Sequence, residues 1–282
     1  MPRLRSLFVL GRASNLPTVW SNCLAGWWLG GRGNVSKVPL LFAGATLLYI
    51  GGMYLNDAFD ANFDQQRRKE RPIPSGAISL DAVWKLGLLW LALGLICLFF
   101  AGRTTGELGL ALLVCILLYD AIHKVITFSP LLMGACRFFL YLVAASVGGF
   151  AAGWAVWCGL ALGLYIVGLS FIARRESARG SVQYWPMILL AAPIALAFFM
   201  NVGEYRKSAS LVSLVVGLWI LRSVRSVLWS IDRQIGRTVS GLLAGIVFVD
   251  WLAAADAPRT LGFVFVVLFV LANLFQRYIP AT

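Results

Sequence analysis

Polar positions are scarce along this chain, and their placement divides it into apolar stretches. These cover residues 16–31, 38–55, 83–101, 108–122, 131–150, 151–172, 185–200, 211–221, 239–255 and 261–275. Each is close to, or somewhat short of, the roughly 20 residues an α-helix needs to cross the hydrocarbon core of a bilayer. The pattern predicts an all-α, polytopic bundle of nine or ten transmembrane helices, with residues 1–282 as a single integral membrane domain. Residues 221–236 differ. Arginines 222, 225 and 233 among Val, Leu and Trp there suggest an amphipathic interfacial helix.

Composition agrees. The chain is 60% hydrophobic and only 13% charged, which excludes an ordinary soluble domain. The 28 glycines and 11 tryptophans suit close helix contacts and interfacial anchors. A net charge of +12 could suggest nucleic acid, but the basic residues lie between apolar spans and form no patch, so no nucleic-acid partner is expected. With the N-terminus inside and ten spans, sixteen Lys and Arg fall in inner segments. Six (Arg32, Lys37, Arg103, Arg206, Lys207 and Arg259) fall outside. The positive-inside bias places the N-terminus and the 57–80 segment in the cytoplasm, as expected for a bacterial inner-membrane protein. The run before Arg12 is too short for a convincing signal peptide.

The five cysteines (23, 97, 115, 136 and 158) lie in or near apolar segments without metal-like spacing, and read as small buried hydrophobes. The one histidine, His123, cannot build a His-based metal cluster. Charges inside spans are expensive and therefore informative. Arg137 is the clearest, either neutralised by an internal acid or touching a bound anionic group. Asp250 is the other, near a helix end.

Three of the twelve acidic residues fall within nine positions, Asn56-Asp57-Ala58-Phe59-Asp60-Ala61-Asn62-Phe63-Asp64, at the end of an apolar span. On a continuing helix Asp57, Asp60 and Asp64 share one arc with Asn56 beside it. Massed carboxylates repel unless a cation lies between them. Oxygen-only ligands suit Mg²⁺, which bridges carboxylates to substrate phosphates. Arg67, Arg68, Lys69 and Arg71 follow and would suit the same diphosphate. The spacing alone also fits a solvated acidic helix end balanced by its basic neighbours. Lys124, in Tyr119-Asp120-Ala121-Ile122-His123-Lys124, could reach a phosphate or simply snorkel. Arg174, Arg175 and Glu176 form a third inner segment that also reads as an ordinary positive-inside loop.

The run Asn56-Asp57-x-x-Asp60-x-x-x-Asp64, its basic stretch, and Arg71-Pro72-Ile73-Pro74-Ser75-Gly76 resemble the first aspartate-rich motif of the UbiA family of intramembrane prenyltransferases. Arg12-Ala13-Ser14-Asn15-Leu16-Pro17-Thr18 and Lys124 before Ser129-Pro130 resemble family members too. The resemblance implies a helical fold around a lipid-facing cavity and Mg²⁺-dependent use of a prenyl diphosphate. It also implies transfer of the prenyl group to a small acceptor, expected to be aromatic. Asn56, Asp57, Asp60 and Asp64 would hold Mg²⁺, with Asp57, Asp60 and Asp64 central to catalysis. Arg67, Arg68, Arg71 and Lys124 would contact diphosphate, and membrane lipid would surround the bundle.

One departure stands out. The family carries a second aspartate-rich motif after the sixth span, and here that place reads Leu169-Ser170-Phe171-Ile172-Ala173-Arg174-Arg175-Glu176-Ser177. Glu176 is the lone candidate metal ligand, and Arg174 and Arg175 are candidates to neutralise diphosphate in place of a second metal. The alternatives are transfer of a sugar phosphate to a polyprenyl phosphate, or a non-catalytic lipid-binding or transport protein. A carrier would show internal repeats and broken mid-membrane helices, and no convincing repeat is present. No signature of a particular oligomeric state is present.

Overall fold

The computed structural model describes residues 2–149, 152–174, 185–200, 205–228 and 235–279. Among these, thirteen α-helices and no strand are found. The N-terminal half holds α1 (Pro2–Leu10), α2 (Leu16–Leu29), α3 (Val38–Phe59), the short α4 (Ala61–Arg67), α5 (Leu80–Ala101), α6 (Arg103–Ile122) and α7 (Ser129–Gly148). The rest comprises α8 (Ala152–Arg174), α9 (Trp185–Leu189), α10 (Ala192–Phe199), α11 (Tyr205–Leu228), α12 (Ile235–Ala253) and α13 (Arg259–Tyr278).

All ten apolar stretches are helical, and eight helices are long and apolar enough to cross a membrane. The other two stretches are short. The first is α2, at 14 residues, about 21 Å long. The second is split into α9 and α10, where Pro193 in the first turn of α10 supplies no backbone N–H to continue the earlier helix. Proline also stands in the first turn of α2, α3 and α7, where its fixed φ suits helix entry. The chain is an integral membrane protein: its long spans carry exposed Leu, Ile, Val and Phe on their outer faces, as at Phe99, Phe100 and Val264.

Two expectations are corrected in detail. Residues 221–228 do not form a separate interfacial helix; they are the last two turns of α11. Val224 is buried, and Thr238 Oγ1 donates to the Ser223 carbonyl at 2.9 Å, so this end packs against α12. Residues 229–234 lie outside the described part. The acidic cluster, expected on one helix, spans a break at Asp60 between α3 and α4. The i→i−4 bonds nonetheless run through it: Asp60 N to Asn56 O is 3.0 Å, and Asp64 N to Asp60 O is 2.9 Å.

Three apolar clusters result, the smallest around Leu10, Tyr54, Ala58 and Val83. Of the larger two, one joins α2, α3, α5, α6 and α7 through Cys23, Leu48, Leu98, Leu112 and Val143; the other joins α8 with α11, α12 and α13. In the first, α3 and α5 approach at glycines. A Cβ on Gly51 would lie 2.9 Å from the Gly87 carbonyl oxygen, and one on Gly44 would lie 3.0 Å from that of Gly94. Small residues let the backbones touch, and van der Waals contact then holds the pair where the hydrophobic effect cannot.

Candidate active site

The four polar residues at the end of α3 and start of α4 are all withdrawn from solvent. Asn56 is 4% exposed, Asp57 6%, Asp60 8% and Asp64 2%. Carboxylates so buried require positive partners, and three segments supply them. Arg71 Nη1 donates to Asp57 Oδ1 at 3.1 Å and to Asp64 Oδ2 at 2.9 Å, bridging two carboxylates. Lys124 Nζ reaches Asp60 Oδ1 at 2.7 Å, and His123 Nε2 lies 3.3 Å from the same oxygen. Arg12 Nη2 donates to Asn56 Oδ1 at 3.1 Å and meets Asp57 Oδ1 at 3.4 Å.

Local sequence explains each approach. In the Arg71–Gly76 run two prolines limit the backbone, Ser75 N donates to the Arg71 carbonyl at 3.0 Å, and Gly76 takes φ +73°. The resulting turn, anchored by Ile73 on Leu10, Tyr54 and Val83, folds Arg71 back over the cluster. Arg12 sits between α1 and α2 in left-handed backbone, φ 41° and ψ 49°. That conformation disfavours non-glycine residues by about 1–2 kcal/mol, and here it brings the guanidinium to the carboxylates. Lys124 follows the end of α6, with Nζ also 3.7 Å above the Phe63 ring.

Burial pushes the Asp60 carboxyl upward, but hydrogen bonds from His123 and Lys124 outweigh it and hold the group below the usual carboxylate range. Burial likewise works against charge on Arg12. Asp57 beside it, together with Tyr49, Tyr119 and Asp120, outweighs that, and the guanidinium is held above its ordinary value.

Not every expected residue joins the cluster. Arg67 is exposed, its guanidinium 5.1 Å from the Phe63 ring centre, and neither it nor Arg68 pairs with a described carboxylate. Arg174 reaches the site from behind. Its Nη2 donates to the carbonyls of His123 and, at 2.9 Å, Ile126, and its Nη1 donates to that of Thr127. It clamps the loop that carries Lys124. Arg175 and Glu176 lie outside the described residues.

Three residues outside the expected set belong here: Arg12, His123 and Asp120. Asp120 is 3% exposed, and its Oδ1 accepts from Asn56 Nδ2 at 3.0 Å. Arg12 and Asp120 both stood in stretches already notable in the sequence, 12–18 and 119–124. Nothing in sequence separation pointed to their contact with Asn56.

The donor set fits a hard cation such as Mg²⁺. It is all oxygen, and two buried carboxylate oxygens, Asp64 Oδ1 and Asp120 Oδ2, have no hydrogen-bond partner. Among the described residues no three His, Cys, Asp or Glu side chains converge into a ready cage. Arg71 and Lys124 supply the positive charge instead.

Beneath the cluster lies an apolar cavity of about 80 Å³ between α2, α3, α6 and α7. On α3 its lining recurs at Ala45, Leu48, Tyr49, Gly52 and Met53, a helical stripe whose next turn presents Asn56. On α6 the lining ends at Tyr119 and Asp120. The cavity therefore meets the cluster at Asp120, which is bonded to Asn56.

Comparison with known proteins agrees with this architecture. A digeranylgeranylglyceryl phosphate synthase of Ignicoccus hospitalis is 37% identical over 117 residues, 42% of this chain and 38% of that protein. A 4-hydroxybenzoate octaprenyltransferase of Alcanivorax borkumensis is 34% identical over 106 residues, 34% of this chain and 35% of that one. The matched segments thus span well under half of these relatives' own length. A solved UbiA homologue from Aeropyrum pernix K1 superposes with a TM-score of 0.68 at 18% identity, over 85% of this chain and 97% of that one, and so shares the fold. Residues 15–279 match the UbiA prenyltransferase family, and the chain belongs to it.

Proposed function

We propose that the chain transfers a prenyl group from an isoprenoid diphosphate to a small acceptor at the buried aspartate cluster, with Mg²⁺ as cofactor. The observation that carries this reading is the meeting of cluster and cavity. Asp120, bonded to Asn56 of the cluster, stands at one end of the lining, and apolar residues make up most of the rest. That is the shape of a substrate with a diphosphate head and a hydrocarbon tail.

Asn56, Asp57, Asp60 and Asp64 would hold the metal, which when bound neutralises the leaving diphosphate. Arg71 and Lys124 now neutralise the carboxylates, and they would turn to the diphosphate oxygens once a divalent cation replaces them. Arg67 and Arg68, at the exposed edge, would meet the diphosphate as it arrives. The bond between the allylic carbon and the bridging oxygen breaks, and its electron pair leaves with diphosphate. The acceptor's nucleophilic atom then bonds to that carbon and gives up its proton. Leu48, Leu112, Ile116 and Met133 would keep water from the cationic carbon, and Tyr49 and Tyr119 add aromatic rings to the same wall.

The names of the relatives suggest two acceptors, a prenylated glyceryl phosphate and 4-hydroxybenzoate. Basic residues in place of the second motif would suit the more anionic substrate of a sugar-phosphate transfer, but Arg174 is engaged with loop carbonyls, which weighs against that reading.

The test is diphosphate release from a prenyl diphosphate by detergent-purified protein, with Mg²⁺ and with EDTA. Turnover should require Mg²⁺ and fall at least about 100-fold in Asp60→Ala and Asp64→Ala proteins, the scale of losing a preorganised electrostatic contact in a water-excluded site. Equal turnover in EDTA, or in either variant, sinks the reading.

A further inference from the structure

Arg137 lies on α7 two turns inside from Ser129, about 12 Å along the helix axis. It lines the same cavity as Asp120 and Tyr49. Its hydrogen bonds to described residues all go to neutral oxygens. Nη1 donates to Asn22 Oδ1 at 2.5 Å and to the Thr18 carbonyl at 3.3 Å, and Nη2 donates to Thr18 Oγ1 at 3.1 Å. Asp250 is close by but is satisfied separately, and no ion pair joins the two. Its Oδ1 accepts from Tyr141 OH at 2.7 Å, and its Oδ2 accepts from Ser21 Oγ and, at 2.7 Å, from Asn22 Nδ2.

Asn22 therefore stands between cation and anion, giving its amide N–H to one and its carbonyl oxygen to the other. This relay offsets part of the cost of burying Arg137 and fixes where its guanidinium sits. It leaves the charge without a carboxylate in contact, on the wall of an apolar cavity. That position leaves the charge available to an anion that enters the cavity.

We propose that Arg137 anchors an anionic group of the acceptor, a carboxylate or a phosphate, and so makes the site selective for acceptors that carry one. The inference rests on the prenyltransferase reading and extends it to the acceptor class. An acceptor held by its anion at Arg137 has its far end directed along the α3 stripe toward Asn56 and Asp120, where the allylic carbon would lie. Asn22 and Asp250 are positioning residues that act through Arg137.

The experiment uses two matched pairs of acceptors with the full chain in detergent. One pair is 4-hydroxybenzoate and 4-hydroxybenzamide, and the other is geranylgeranylglyceryl phosphate and geranylgeranylglycerol. In the unaltered protein the anionic member of at least one pair should be preferred by about 10- to 100-fold in kcat/KM, the range of one charge-assisted hydrogen-bonded contact. Which pair responds tells carboxylate from phosphate.

Arg137→Gln should abolish that preference by raising KM for the anionic acceptor, with KM for the prenyl diphosphate little changed, and Arg137→Lys should recover part of it. Equal use of charged and neutral acceptors by the unaltered protein overturns the proposal. So does an Arg137→Gln protein that loses both members of a pair equally. Should Arg137→Gln fail to fold, protection of the cavity-lining Cys136 from maleimide in the unaltered protein decides, since equal protection by both members overturns it. Mg²⁺-dependent diphosphate release with no transfer to any of the four acceptors also rejects the acceptor class. Absence of Mg²⁺-dependent release counts instead against the prenyltransferase reading beneath it.

Discussion

Asp60 takes three roles from one position. It ends α3, it begins α4, and its Oδ1 receives both Lys124 and His123. The Lys124 side chain stays 35% exposed, yet its Nζ is held between Asp60 Oδ1 at 2.7 Å and the Phe63 ring, so it can pass from the carboxylate to an arriving diphosphate. Lys124→Gln should raise KM for the prenyl diphosphate by about 10- to 100-fold, measured by initial rates at saturating Mg²⁺. Arg174 touches no carboxylate in the cluster and acts by holding the loop 123–127. Arg174→Gln should therefore raise the same KM by less, and adding it to Lys124→Gln should change little further. A double variant whose effects are fully additive would show that Arg174 meets substrate itself.

At the scale of elements, the site depends on how closely α3 and α5 pack. A Cβ on Gly51 would meet the Gly87 carbonyl oxygen at 2.9 Å, and a carbonyl inside a helix cannot step aside as a side chain can. Gly51→Val should force the helices apart, lower stability by about 1–3 kcal/mol and shift Asn56, five residues on. Thermal unfolding in detergent and Mg²⁺ affinity would both report the change. Gly76→Ala is the contrast. A Cβ there meets nothing within 4 Å, and only the positive φ of +73° resists it. Its cost should stay near 1 kcal/mol, with Mg²⁺ binding close to unaltered.

For the molecule as a whole, the uneven distribution of Lys and Arg is the basis on which we propose that the cluster faces the cytoplasm. Taking α2 and the α9–α10 pair as crossings beside the eight long helices would put sixteen basic residues of the sequence on one side and six on the other. Cysteines introduced singly into a cysteine-free background test this. Ser75→Cys, in the exposed turn after Arg71, should react with an impermeant maleimide only from the inner side. Arg103→Cys, between α5 and α6, should react only from the outer side. The reverse pattern would put the active face outside.

The class of fold was legible because a bilayer imposes a simple rule on local composition: a span must be apolar for about 20 residues, and ten stretches announced themselves that way. The acidic cluster was legible for the same reason, since helical spacing alone sets Asn56, Asp57, Asp60 and Asp64 on adjoining positions. What joins them to the rest was decided by packing. Arg12 reaches Asn56 across 44 residues and Asp120 reaches it across 64; Arg137 meets Asn22 across 115, and Asn22 meets Asp250 across 228. No local propensity encodes such pairs, because each exists only after several helices have settled side by side. The break at Asp60 and the continuation of α11 through Leu228 belong with them, since tertiary contacts overrode a pattern that read differently one segment at a time. The sequence by itself thus determined a membrane bundle with an acidic helix end. Only the tertiary structure decided which cations already face that end, where the apolar cavity opens beneath it, and which buried arginine looks into that cavity.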